Sequence, residues 1–106
     1  MKFTLETKTY KDEIYRADIG QGLSAVVGMH YHTFKHYWHV TYYIGYPPYY
    51  RVSVLGIDYL NTRKEARNAA QNIMDEAKPD DWKRLPEFDR NNIRESISKT
   101  PSFMKL

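Results

Sequence analysis

Leu23-Ser24-Ala25-Val26-Val27-Gly28-Met29-His30-Tyr31-His32 and His36-Tyr37-Trp38-His39-Val40-Thr41-Tyr42-Tyr43-Ile44-Gly45-Tyr46 are the stretches that decide the fold. Both alternate in character from one residue to the next. A period of two marks a strand, whose successive side chains point to opposite sides. In the first run Leu23, Ala25, Val27, Met29 and Tyr31 share one side, and Val26, Gly28, His30 and His32 the other. In the second, Trp38, Val40, Tyr42 and Ile44 point inward, while Tyr37, His39, Thr41 and Tyr43 point outward. A turn at Thr33-Phe34-Lys35 joins them. The pair predicts a sheet with one apolar side and one side of histidine and tyrosine.

Upstream, Gly20-Gln21-Gly22 is a strong turn signal, because glycine reaches positive φ without steric cost. Before it, residues 13–19 alternate with Tyr15, Ala17 and Ile19 together, and residues 2–9 place Phe3 and Leu5 on one side. Downstream, Tyr46-Pro47-Pro48-Tyr49 must break the ladder, since proline has no amide proton to donate. Residues 51–57 resume as a strand, with Gly56 expected at a bulge or exit.

The pattern changes at Thr62. Thr62 and Glu65 have the spacing of a capping box, in which hydroxyl and carboxylate satisfy free amide donors at a helix start. Ala66, Ala69, Ala70, Ile73, Met74 and Ala77 then recur at helical spacing, and their small size lets the backbone approach the sheet. Pro79 ends this helix near Lys78. Residues 80–86 read as a connector with Trp82 at the core edge. A weaker helix follows, with Ile93 and Ile97 one turn apart. The expected fold class is α+β: an antiparallel sheet of four to five strands over residues 2–57, a helix packed on it over 62–78 and a C-terminal helix over 87–99. Residues 1–99 form a single domain and residues 100–106 a loose tail. The expected core is Val27, Trp38, Val40, Ile44, Val52, Val54, Ala70, Ile73 and Met74.

A chain of 106 residues closes about one hydrophobic core. The absence of cysteine excludes disulfides, thiolate chemistry and cysteine-ligated zinc. The alternating start Met1-Lys2-Phe3-Thr4-Leu5-Glu6 is a strand pattern rather than a secretion signal, and no apolar run has the length of a membrane helix. A cytoplasmic location is expected. The net charge of +3 permits an anionic partner without demanding one. All ten tyrosines lie between Tyr10 and Tyr59, so the first part is aromatic and the second charged.

Three groups of residues are candidates for chemistry. His30, His32, His36 and His39 crowd into ten residues, but a zinc site needs three or four ligands converging near 2 Å, and His36 has the wrong parity. Surface histidines on a two-sided sheet are the expected reading, with no metal and no cofactor. Ser24, Thr33, Thr41 and Ser53 lack the base and orienting group that a nucleophile needs, and no phosphate-cradling glycine loop is present. The carboxylate pairs Asp12-Glu13 and Asp80-Asp81 are expected in turns. No enzymatic activity is expected.

The third group is a binding surface, because tyrosine supplies rigid contact area with a polar handle. The expected partner-binding residues are Tyr37, His39, Tyr43 and Arg51, joined by Arg63, Lys64 and Arg67 at the helix start. There the cations oppose the helix dipole, a placement that fits a solvated polar face tolerated at small cost or a partner with anionic character.

Two resemblances follow from particular residues. Val54-Leu55-Gly56 closing a strand and Thr62-Arg63-Lys64-Glu65-Ala66-Arg67-Asn68-Ala69-Ala70 opening a helix are similar to the three-strand-plus-helix DNA-binding domains of ethylene-response factors and phage integrases. Gly28 and Trp38 sit roughly where that family has a strand glycine and a strand tryptophan. Those domains read DNA with sheet arginines, where this chain has His30, His32, Tyr37, His39 and Tyr43. In size and in the Thr62–Ala70 segment the chain also resembles small phage and mobile-element accessory proteins, including anti-CRISPR proteins. That resemblance implies an inhibitor occupying a surface of a host nucleic-acid-handling complex, so the expected partner is a protein or nucleoprotein, without a membrane. Direct sheet-based DNA binding is the first alternative and a histidine metal-binding protein the second.

Overall fold

The computed structural model describes residues 1–46 and 50–99, with the side chains of residues 50, 51 and 96–99 set aside. Five strands run in the order β1 (Thr4–Lys8), β2 (Asp12–Gly20), β3 (Leu23–His32), β4 (Tyr37–Tyr46) and β5 (Tyr50–Leu60). They form one antiparallel sheet in which neighbours in sequence are neighbours in space. The helix α1 (Arg63–Glu76), a 3-10 turn (Pro79–Arg84) and the helix α2 (Glu87–Lys99) complete the chain. The expected α+β architecture is the one observed. The proline break at Pro47-Pro48, the side chains of Arg51 and Ile97, and the tail 100–106 fall outside the described residues.

The turn between β2 and β3 has φ of 93° at Gly20, 56° at Gln21 and 78° at Gly22, a run that two glycines make feasible. A side chain at Gly22 would also collide with the buried Tyr46 ring, since a Cβ there would lie 2.7 Å from it. Between β3 and β4, His36 takes a φ of 54° and its amide donates to the His32 carbonyl, so β4 opens at Tyr37 rather than at His36.

Alternation then sorts the sheet into two faces. Leu23, Ala25, Val27 and Met29 of β3 and Trp38, Val40, Tyr42 and Ile44 of β4 are buried together with Ala66, Ala70, Ile73 and Ala77 of α1 and its cap, Leu85, and Ile93 of α2. Ala66 and Ala70 are at most 1 % exposed, and their missing bulk is what brings α1 down onto β3, β4 and β5. Thr62 caps α1, its hydroxyl accepting from the Glu65 amide at 3.1 Å. Glu65 reaches back one residue further than expected, accepting from the Asn61 amide at 3.0 Å.

Several expectations are corrected. Val54 is half-exposed rather than core, because it is the extra residue of a β-bulge opposite Tyr42 and Tyr43. Gly56 pairs in register with Thr41 and is not the bulge. The strand also runs past Ile57 to Leu60, with a second irregularity at Asp58 and Tyr59. Of the two carboxylate pairs expected in turns, Asp80-Asp81 lies in one and Asp12-Glu13 does not. Asp12 and Glu13 open β2, and Glu13 is 1 % exposed on the helix side. Asp81 is buried in the 3-10 turn, where it accepts from the Tyr42 hydroxyl at 2.8 Å and the Lys78 amide at 2.9 Å. Among the described residues no helix is long and apolar enough to cross a membrane.

Candidate binding face

The buried side chains of both helices and of Leu85 belong to one cluster on one side of the sheet, which leaves the other side without a described helix. On that outer face the β3–β4 register sets His30 opposite His39 and His32 opposite Tyr37. Opposed residues on one face come close enough for their rings to meet. The His30 and His39 rings are 4.9 Å apart, the His39 and His32 rings 4.3 Å, and the His32 and Tyr37 rings 4.8 Å. The chain of rings continues to β5, where Tyr59 lies 4.8 Å from Tyr37. At the opposite end the Asp12 carboxylate of β2 meets His30 Nδ1 at 2.7 Å. Five rings and a carboxylate thus cross four strands without interruption.

Two of these residues were not foreseen. Tyr59 follows the point where the strand was expected to end, and no sequence pattern announces a bulge there. Its φ of 63° is left-handed, which is strained for a bulky side chain. That conformation, at the irregularity opposite His39, is what carries the ring onto Tyr37. Asp12 had a legible signal. A hairpin centred on Gln21 pairs residues equally distant from it, and so sets Asp12 opposite His30.

The outer face also holds buried polar atoms with nothing to bond. Among the described residues, His39 Nδ1 and Thr41 Oγ1 are buried there without a hydrogen-bond partner, as are Arg63 Nε and Arg90 Nε on the helices. Thr41 Oγ1 flanks Gly28: a Cβ on Gly28 would lie 2.6 Å from His30 Nε2 and 3.4 Å from Thr41 Oγ1. Gly28 is therefore the place where the His30 ring lies down on the strand. Burial holds the His39 imidazole below its ordinary value, and His30 and His32 push it the same way, with Asp58 and Asp12 opposing. The rings lie side by side, tilted by 30–36° within the histidine stack, rather than converging on a point, and among the described residues no group has the arrangement of metal ligands.

The structure divides the expected binding residues into two sets. Tyr37 and His39 lie in the ring chain, and Tyr43 shares the outer face between Val26 and Ser53. Arg63 and Arg67 lie across the sheet, on the helix side. Arg63 donates to the carbonyls of Thr9 and Tyr10, each at 3.0 Å, and its guanidinium covers the Trp38 ring at 5.3 Å. Arg67 donates to the buried Glu13 carboxylate at 3.0 Å. These contacts explain cations at a helix start without an external anion: each ties α1 to the strands beneath it. Lys64 is exposed on that side, and the side chain of Arg51 is outside the described residues.

Comparison of the chain with protein-family models, with curated protein sequences and with solved structures finds no match in any of the three.

Proposed function

We propose that the protein is a non-enzymatic binding protein whose outer sheet face docks on a protein surface. The observation that carries this reading is the uninterrupted chain Tyr59–Tyr37–His32–His39–His30 on a face that no described helix covers. Aromatic rings lose little conformational freedom on binding and bury large areas, so they dominate the centre of protein interfaces. Buried polar atoms without partners, such as His39 Nδ1 and Thr41 Oγ1, are rare in folded proteins and find their complement in a docked group or water. The resemblance to small phage accessory proteins adds a class of partner, a host complex that handles nucleic acid, with the rings meeting one of its protein components.

Direct binding of nucleic acid by this face is the weaker reading. Stacking of bases on a sheet works beside a basic groove. Here Asp12 and Asp58 flank the histidines, Arg16 is paired with Glu6 at 3.2 Å, and Arg63 and Arg67 are engaged on the other side. The anionic character first expected of the partner therefore loses its support at Arg63 and Arg67.

The test is site-directed photo-crosslinking in cells that make the protein, with the probe placed at Tyr37, at Phe88 or at Lys64. A discrete adduct from Tyr37 alone supports the outer face. An adduct from Lys64 or Phe88 alone moves the interface to the helical side. Sub-micromolar binding of free duplex DNA, falling with salt at a slope of about −0.9 per phosphate contact, makes DNA the ligand instead.

A further inference from the structure

We infer that the stacked imidazoles make the outer face responsive to pH, so that it holds its partner near neutrality and releases it in mild acid. The inference rests on the reading of that face as the binding surface. Histidine is the side chain that changes charge in this range.

The geometry sets the direction. His39 lies between two other imidazoles, with ring centroids 4.9 Å from His30 and 4.3 Å from His32. Its Nδ1 is buried and has no acceptor nearby. A neutral ring tolerates this by keeping its proton on Nε2 and leaving a lone pair at Nδ1. A protonated ring must present an N–H there with nothing to receive it. The groups facing His39 are Asp12 from β2, His30 and His32 from β3, Tyr37 on its own strand, and Asp58 and Tyr59 from β5. Asp12 is already bound to His30 at 2.7 Å, so the compensating charge nearest the stack is committed to one ring. Protons added to this cluster become like charges a ring's width apart, and the rings separate. Tyr37 rests on His32 and Tyr59 rests on Tyr37, so the opening passes along the binding surface.

The sign follows from linkage. His39 is held below its ordinary value, so the stacked state binds fewer protons than the opened one. The stack is fully stabilised above the ordinary histidine value of about 6.5 and weakens as pH falls below it.

NMR titration of the free protein from pH 8 to pH 5 tests the stack, and Tyr37 crosslinking at the same pH values tests release. The expected result is a His39 ring that titrates below the ordinary histidine midpoint, with Tyr37 and Tyr59 ring signals that shift as the stack takes up protons. Crosslinking should fall as pH drops below the ordinary value, by no more than about tenfold per pH unit, the limit for excluding one proton. His39→Phe keeps a ring without a titrating nitrogen, and Gly28→Ala forces the His30 ring off the strand. Both should flatten the pH dependence of crosslinking. Ordinary, independent titration of the three histidines with static tyrosine signals overturns the inference, as does pH-independent crosslinking from Tyr37. Absence of a Tyr37 adduct at every pH removes the binding reading itself, and the titration then shows separately whether the stack opens.

Discussion

The two faces of the sheet are made by the same strands one residue out of phase, and they are filled in different ways. On the helix side each buried carboxylate is tied down. Glu13 holds Arg67 of α1, and Asp81 gathers Tyr42 of β4 and the Lys78 amide. Apolar side chains, Trp38 and Met29 among them, fill the space between. On the outer side the rings stack on one another, while His39 Nδ1 and Thr41 Oγ1 stay unpartnered. The helix side thus ties its buried carboxylates within the chain, although Arg63 Nε of α1 and Arg90 Nε of α2 are also buried without a partner, and the outer side is the face proposed to bind. Stability should reside in the first and binding in the second.

The comparison breaks most sharply at Ala70, which is 1 % exposed where α1 touches the sheet. Ala70→Glu sets an unpaired charge between the two layers and should cost about 4 kcal/mol or more, enough to unfold a marginal domain. Thermal melting followed by circular dichroism measures it. An unchanged melting temperature would mean that α1 packs elsewhere.

Asp81→Ala should come next, at about 1–3 kcal/mol by chemical denaturation, because it strands the Tyr42 hydroxyl and the Lys78 amide. Burial together with the Asp81 hydrogen bond and charge pushes the Tyr42 hydroxyl far above its ordinary value, so it stays a donor at every working pH.

Glu13 gives the helix side its own acid limit, distinct from that of the histidines. The hydrogen bond from Arg67, and the charges of Arg67, Arg63 and Lys8, hold the Glu13 carboxyl below its ordinary value of 4.5 against the opposing effect of burial. A lowered value means stability that is present above pH 4.5 and lost as pH falls through the folded-state value. Glu13→Gln should blunt this loss in a denaturation series below pH 5, whereas Tyr37→Ala should leave it intact.

On the outer face Tyr37→Ala should change folding stability by less than about 1 kcal/mol, since a half-exposed ring is not a core element. Its partner affinity should nevertheless fall by about 2 kcal/mol or more, as truncation of a central aromatic does. Denaturation and binding measured on the same preparation decide whether the two faces are separable. A large stability loss would place Tyr37 in the folding core.

Tyr59→Gly should have the smallest effect on the fold. Glycine relieves a left-handed strain of about 1–3 kcal/mol but gives up the Tyr37 contact and rigidity, for a net change within about 1 kcal/mol. Partner dissociation should still quicken. Unaltered binding would show that the strained turn serves only to end β5.

Much of this was readable from residue order. Alternation through residues 23–44 assigned most side chains of β3 and β4 to their faces, and the capping pair Thr62–Glu65 with the alanine stripe located α1 and its buried side. These are local properties, set by the period of the backbone and by the chemistry of adjacent residues. What the order of residues did not reveal came from strands meeting out of step. The bulge at Val54 and the irregularity at Asp58 and Tyr59 arise from pairing with β4, and they decide that Val54 leaves the core and Tyr59 joins the ring chain.

The same division separates the two candidate sites. The sequence by itself determined that Tyr37, His39 and Tyr43 share a face, because neighbours two apart on a strand always do. It could not determine which side of the sheet Arg63 and Arg67 would occupy relative to them. That was decided when α1 packed on the apolar side and its cations met Glu13 and the Thr9 and Tyr10 carbonyls, more than fifty residues away in sequence. Such contacts depend on where the chain returns in space, and the return is fixed by burial of the whole alanine face rather than by any one of the charges it brings along.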